Sequence, residues 1–113
     1  DVKKVEAKTY DADIMYDIYI QNSDINVIKV DCYFHEGSTS PYGEYSYSKD
    51  ENAGAVAHSY SYTSFLNSTR KFFTGGTVKV EDAGSGLYKI TVNMTRDDEK
   101  VYDFTWTGAI QWK

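Results

Sequence analysis

The stretch from Leu87 to Thr107 decides the fold, and it reads LYKITVNMTRDDEKVYDFTWT. Apolar side chains occupy every second position of its two halves, namely Tyr88, Ile90, Val92, Met94, Tyr102, Phe104 and Trp106. Successive side chains of a β-strand point to opposite faces, so this alternation is typical of strands with one buried face. The polar run 96–99 is typical of a tight turn. The stretch predicts an antiparallel hairpin, because so short a connection leaves no room for a parallel crossover.

The same period continues on both sides of this hairpin. Residues 77–81 predict a preceding strand, the glycine-rich run 82–86 predicts its turn, and Gly108 introduces a last short strand. Alternating runs nearer the start of the chain predict further strands, whose shared faces carry Val5, Ala7 and Thr9, then Ile14, Tyr16, Ile18 and Ile20, then Ile28, Val30, Cys32 and Phe34. The residues expected to be largely buried are Ile28, Val30, Tyr88, Ile90, Val92, Phe104 and Trp106.

These patterns predict that residues 1–113 form a single all-β domain, an antiparallel β-sandwich or a flattened barrel of eight or nine short strands. A hydrophobic share of 41% and an aromatic share of 16% are sufficient for one core in 113 residues. One short helix around residues 64–73 stays open as an alternative. Its apolar side chains follow Ser64, a possible cap, at helix-like spacing, and they are Phe65, Leu66, Phe72 and Phe73.

Charge excludes some classes of partner. The chain has 12 Lys and Arg against 17 Asp and Glu, which gives a net charge of −5. Nucleic-acid binding requires clustered cations, whereas the cations here are scattered, so no nucleic-acid partner is expected. No apolar run approaches the roughly 20 residues that span a bilayer, so no transmembrane segment is expected either.

The metal-binding residue types are too few for a recognisable site. Cys32 is the only cysteine, so no intrachain disulfide can form, and its place in a strand predicts a small buried side chain. His35 and His58 lie in different segments without the spacing of a zinc motif. Neither a metal nor another cofactor is therefore predicted. Asp11 and Asp13 resemble part of a calcium loop, but the later glycine and glutamate of such a loop are missing.

Catalytic motifs are missing as well. The chain has neither a Gly-x-Ser-x-Gly elbow nor a phosphate-binding loop, so an enzyme is not expected. A hydrolase built on two carboxylates is a distant alternative, since the separation that such chemistry needs cannot be seen in sequence.

Tyrosines are the candidate binding residues. Tyr45 and Tyr47 alternate with serines, as do Tyr60 and Tyr62, so each pair projects from one face of a strand. Exposed phenol rings stack on sugars or fill protein interfaces at a small cost in conformational entropy. The alternative interpretation is that these rings cap the core beside Tyr88 and Tyr102.

Several short motifs suggest a relationship. GTVKV at 76–80, GLYKI at 86–90, the acidic turn with Asp97 and Asp98, and TGAI at 107–110 resemble the closing strands of β-rich domains in secreted lipoproteins of Bacteroidetes, and PYGEY at 41–45 is similar to a turn in the same domains. The resemblance covers about the last forty residues. It implies export to the cell envelope and supplies no functional residues.

Two functions follow as hypotheses. The favoured one is a non-catalytic, extracytoplasmic binding module of a cell-surface protein, with a glycan or a surface protein as its ligand. The alternative is a structural spacer or assembly domain of a larger lipoprotein. An exposed row of tyrosines favours the first, and a long unpaired edge strand favours the second.

Overall fold

Ten β-strands form in the part of the chain that this computed structural model describes, which comprises residues 2–10, 14–22, 26–38, 40–50, 52–57, 61–65 and 69–113. They are β1 (Val2–Tyr10), β2 (Met15–Asn22), β3 (Asn26–Tyr33), β4 (Gly43–Ser48), β5 (Ala55–Ala57), β6 (Tyr62–Phe65), β7 (Thr69–Gly84), β8 (Leu87–Arg96), β9 (Val101–Gly108) and β10 (Ile110–Trp112). No helix occurs among those residues. The all-β prediction is confirmed.

The strands form one sheet that curls into a flattened barrel. Five strands close a ring in the order β3, β5, β4, β7, β6 and back to β3. From β3 the sheet continues through β2, β1 and β10, and from β7 it continues through β8 and β9. The principal extents of the molecule are 34 × 33 × 23 Å. Of the two predicted architectures, sandwich and barrel, the structure has a barrel, which five strands close while the others extend the sheet outside it. The described residues form ten strands, against the eight or nine predicted.

The pairing is antiparallel except at two places. The hairpins β7–β8 and β8–β9 are antiparallel, as the short turns predict. In contrast, β4 pairs in parallel with the short strand β5, and β10 pairs in parallel with β1. The prediction of a purely antiparallel sheet is therefore wrong at these pairs. The prediction assumes that each strand pairs with its neighbour in sequence, whereas β10 pairs with β1, at the other end of the chain.

A single large core fills the space inside the curled sheet. Side chains from both halves of the sheet line it, among them Tyr16, Ile18, Val30, Cys32, Tyr45, Val78, Ile90, Val92 and Met94. Val30, Ile90 and Val92 are buried as predicted, while Ile28, Tyr88, Phe104 and Trp106 are half-buried and pack against the core. Cys32 is fully buried, as the sequence predicts, and this burial raises the pKa of its thiol.

The possible helix at 64–73 is wrong. Within that range, residues 64 and 65 belong to β6 and residues 69–73 belong to β7. The two strands pair with each other, and Tyr62 lies opposite Phe72. Cross-strand contacts of this kind override a helix-like spacing of apolar residues, because tertiary pairing satisfies the backbone of both segments at once.

Gly76 permits the close approach of β7 and β8. Its φ is +115°, and a Cβ atom at this position would overlap the Asn93 carbonyl oxygen and the Met94 Cα of β8. The register between the strands shifts just before it, between Phe73 and Gly75. Neighbouring Gly75 has open space around the position of a Cβ atom. Of these two neighbouring glycines, Gly76 is the one that has no space for a side chain.

We predict that Gly76→Ala lowers the free energy of unfolding by at least about 2 kcal/mol, because strained backbone and a displaced neighbouring strand both oppose folding. Gly75→Ala is the matched control and should change stability by less than about 1 kcal/mol. Urea denaturation of both variants tests this. Equal losses for the two would contradict the assignment.

The side chain of Arg96 forms hydrogen bonds to several neighbouring segments at one end of the sheet. It donates hydrogen bonds to both carboxylate oxygens of Asp98, at 2.8 and 2.6 Å, and two more to Thr63 Oγ1 at 2.9 Å and to the Tyr102 hydroxyl at 3.0 Å. The side chain thus joins β8, where it lies, to β6 and β9. The hydrogen bond from Arg96 holds the pKa of Asp98 well below its usual range.

This lowered pKa predicts a pH dependence. A carboxyl group whose pKa is lower in the folded state contributes stability above its unfolded pKa, near 4, and that stability is lost as the pH falls. Asp98→Asn should therefore be less stable than the wild type at pH 7 and should lose less stability on acidification to pH 2. Asp97→Asn, the adjacent control, should follow the wild-type profile. Thermal melting as a function of pH measures both, and parallel profiles for wild type and Asp98→Asn would refute the prediction.

Candidate ligand-binding surface

The tyrosines proposed from sequence occupy different environments. Tyr45 is fully buried, because β4 turns this face toward the core and places it opposite Val78 of β7. Tyr62 is buried too, with the guanidinium of Arg70 4.6 Å from its ring centroid. Tyr47 is half-buried and packs against the core. Tyr60 lies outside the described residues. The predicted exposure is thus wrong for Tyr45 and Tyr62.

Tyr45 instead anchors the loop between β3 and β4. Its hydroxyl donates a hydrogen bond of 2.7 Å to the carbonyl oxygen of Pro41, and the hydroxyl of Tyr16 donates one of 3.0 Å to the same oxygen. The two rings meet edge to face, with their centroids 5.7 Å apart. Burial raises the pKa of Tyr45 to about 12 and that of Tyr16 further still, so both hydroxyls remain donors across the physiological range.

His35, near the start of the same loop, packs against Tyr45. Its ring lies 4.9 Å from that of Tyr45, measured between centroids. It is flanked by Gly43 and Gly54, where a Cβ atom would collide with the imidazole. Both glycines also have positive φ values, of +138° and +79°. The loop is therefore fixed at His35 and Pro41, and Tyr42 follows directly.

Tyr42 belongs to an exposed group of aromatic rings. It stacks on Tyr88 of β8, with the centroids 5.7 Å apart and the planes inclined by 29°. The indole nitrogen of Trp112, on β10, donates a hydrogen bond of 3.3 Å to the Tyr88 hydroxyl. Tyr42 is 41% exposed and Trp112 39% exposed. We call Tyr42, Tyr88 and Trp112 the aromatic surface.

The aromatic surface is held rigidly from beneath. Trp112 packs on the buried ring of Tyr16, at 5.9 Å between centroids, and Tyr88 packs against the core. Tyr42 is fixed by the anchored loop. Rings held in place by other residues lose little conformational entropy when they contact a ligand.

An acidic side chain lies beside these rings. Asp82 of β7 lies directly opposite Tyr88 in the β7–β8 register. Partial burial raises the pKa of Tyr42, and the negative charge of Asp82 raises it further. A carboxylate next to phenol rings repels anionic ligands and accepts hydrogen bonds from hydroxyl groups.

Tyr42 and Trp112 are not among the candidate binding residues that the sequence predicts, and Tyr88 is predicted to lie in the core. A signal for Tyr42 existed, since it lies between the only proline and Gly43, in a loop where no neighbouring strand covers a side chain. No such signal existed for Trp112, because its neighbours Tyr16 and Tyr88 are far from it in sequence.

A pair of carboxylates lies on the outer face of β2 and β3. Asp17 and Asp31 are direct cross-strand partners, and both are buried. The Tyr19 hydroxyl donates a hydrogen bond of 3.2 Å to Asp17 Oδ2, and Lys29 Nζ lies 3.6 Å from the same oxygen. A substrate cannot reach carboxylates that are covered in this way, so the pair does not form a hydrolytic cleft.

The described ranges contain neither a cluster of metal-binding side chains nor a helix suited to a membrane. Within them, no three His, Cys, Asp or Glu side chains group as they would around a metal ion. The same residues include no helix with the length and apolar character to cross a membrane. Asp11, Asp13 and His58 fall outside those ranges.

Comparisons with known proteins supply no relative. No protein-family model, curated protein or solved structure matches this chain.

The shared acceptor at Pro41 predicts coupling between two tyrosines. Tyr16→Phe or Tyr45→Phe alone should cost about 1 kcal/mol, because the other hydroxyl still satisfies the carbonyl. The double variant should cost more than the sum by at least about 0.5 kcal/mol, since the carbonyl then loses both donors. A double-mutant cycle from urea denaturation measures this, and strictly additive losses would show that the two bonds are independent.

Proposed function

We propose that this domain is a non-catalytic binding module of an extracytoplasmic, cell-surface protein and that its aromatic surface binds a glycan. The observation that carries this proposal is the exposed ring of Tyr42 stacked on the half-buried ring of Tyr88, with the exposed Trp112 hydrogen-bonded to Tyr88. These rings replace the four tyrosines suggested by the sequence.

The chemistry of the surface favours a neutral glycan. The apolar face of a sugar ring packs on a flat aromatic ring, and sugar hydroxyls pair with phenol, indole and carboxylate groups. Asp82 and the net charge of −5 disfavour anionic ligands. A surface protein is the other ligand class, but the exposed rings are few for a protein interface, which usually buries about 800 Å² on each partner.

Extracytoplasmic placement is supported by the motifs in the last forty or so residues. They resemble the closing strands of secreted Bacteroidetes lipoproteins, and glycan binding is compatible with exposure at a cell surface. The alternative function, a spacer or assembly domain, has a different support: in the described part of the chain, β9 pairs with a strand on one side only.

Titration with neutral hexasaccharides of glucose, xylose and mannose tests the proposal, with hyaluronan as the anionic comparison. Tryptophan fluorescence and calorimetry report binding. We expect one of the neutral sugars to bind and Tyr42→Ala to weaken it about fivefold or more, which corresponds to about 1 kcal/mol for one ring. The melting temperature should change little, because Tyr42 is exposed.

Tyr10→Ala is the matched control, since Tyr10 is 37% exposed but lies on β1, outside the aromatic surface. It should leave sugar binding unchanged. No binding of any neutral sugar would contradict the glycan proposal, as would equal effects of the two substitutions. Tyr42-dependent binding of a surface protein instead would assign the surface to the second ligand class.

A further inference from the structure

Strand β9 has an open edge. Among the described residues it pairs with β8 alone, and the path of the sheet ends with it. Its register with β8 runs without a shift from Val101 to Gly108, and the strand contains no proline. Natural sheets usually protect such an edge with a bulge, a proline or a lysine. Here the edge offers a regular row of backbone donors and acceptors.

The core-facing side chains of β9 are incompletely covered. Each lies opposite a fully buried residue of β8, in the pairs Tyr102–Met94, Phe104–Val92 and Trp106–Ile90. The β9 members of these pairs are only half-buried, although they pack against the core. In the described part of the chain β8 is the one strand beside them, so a further strand along the open edge would cover them from the other side.

The sequence of β9 is compatible with itself in an antiparallel register centred on Phe104. If Phe104 lies opposite Phe104 of a second copy, Tyr102 lies opposite Trp106 on the core face. On the outer face Asp103 then lies opposite Thr105. Aromatic pairs stabilise adjacent strands, and this register opposes no like charges. A shift that centres the pairing on Asp103 would place two carboxylates opposite each other.

We propose that the domain self-associates through β9, in an antiparallel pair of β9 strands with a two-fold axis beside Phe104. The two sheets then become one continuous sheet with both cores on the same side. A two-fold axis makes the contact closed, so association stops at the dimer. The proposal does not depend on glycan binding, because the aromatic surface takes no part in the contact.

A charged residue at position 105 tests both the location of the dimer contact on β9 and the register of the two β9 strands. In this register residue 105 lies opposite Asp103 of the second copy, and each dimer contains the pair twice. Thr105→Asp should therefore weaken dimerisation at least fivefold, since it opposes like charges. Thr105→Lys should retain or strengthen the dimer. Sedimentation velocity over about 1–500 μM, without sugar, measures the dissociation constants.

Thr91→Asp is the control for the fold. Thr91 lies opposite Thr105 on β8, so it carries the same charge on the same face but one strand away from the edge. We expect it to dimerise like the wild type. A wild-type chain that stays monomeric over the whole concentration range would overturn the proposal. Equal effects of Thr105→Asp and Thr105→Lys, or no effect of Thr105→Asp, would overturn it as well.

Cross-linking provides a second measurement of the register. An oxidised mixture of Asp103→Cys and Thr105→Cys chains should form mixed disulfide dimers in preference to either symmetric dimer, because these positions face each other. Cys32 does not compete, since it is fully buried. Preferential linkage of Asp103→Cys to itself would contradict the proposed register.

Discussion

Backbone hydrogen bonding along both edges of β7 is the constraint on which the rest of the structure depends. This strand is 16 residues long, and it pairs with β8 along one edge and with β6 and then β4 along the other. One continuous strand thus holds the ring of the barrel closed and extends the sheet toward β9. The backbone of such a strand must adjust locally to the neighbours on both edges. The change of register after Phe73 and the glycine at position 76 provide this adjustment.

The position of the aromatic surface follows from this closure. Because β4 pairs with β7, Tyr45 points into the core and its hydroxyl meets the one from Tyr16 at the Pro41 carbonyl. That shared acceptor fixes the loop so that Tyr42 covers Tyr88. A buried pair of tyrosine rings therefore positions Tyr42 over the half-buried ring of Tyr88, and Tyr45, one of the four candidate binding residues predicted from the sequence, lies one layer below the aromatic surface.

The sequence predicts the local parts of this fold better than the long-range ones. Period-two alternation identifies β8 and β9, because a strand with one buried face repeats its pattern every two residues. It does not tell which face of a serine–tyrosine strand is buried, since a phenol is suited both to a core and to a surface. The partners that decide this for Tyr45 are Val78 and Tyr16, which come from distant segments. The secondary structure around Phe72 is ambiguous in the sequence for the same reason. Its spacing from other apolar residues is helix-like, and its cross-strand partner Tyr62 is not evident from that spacing.

Tyr88 of the aromatic surface lies on the same hairpin as the open edge, and the distance between the two has a consequence for binding. Tyr88 is opposite Gly108, at the end of β9, whereas the proposed two-fold axis passes beside Phe104. Four residues of a strand span about 13 Å, so the two aromatic surfaces of a dimer would lie about 26 Å apart along the strands. A chain of several sugars spans that distance, and two linked sites bind such a chain up to about 10²–10⁴ times more tightly than one site. The two proposals together, glycan binding and self-association through β9, would therefore place two aromatic surfaces within reach of one polymeric glycan.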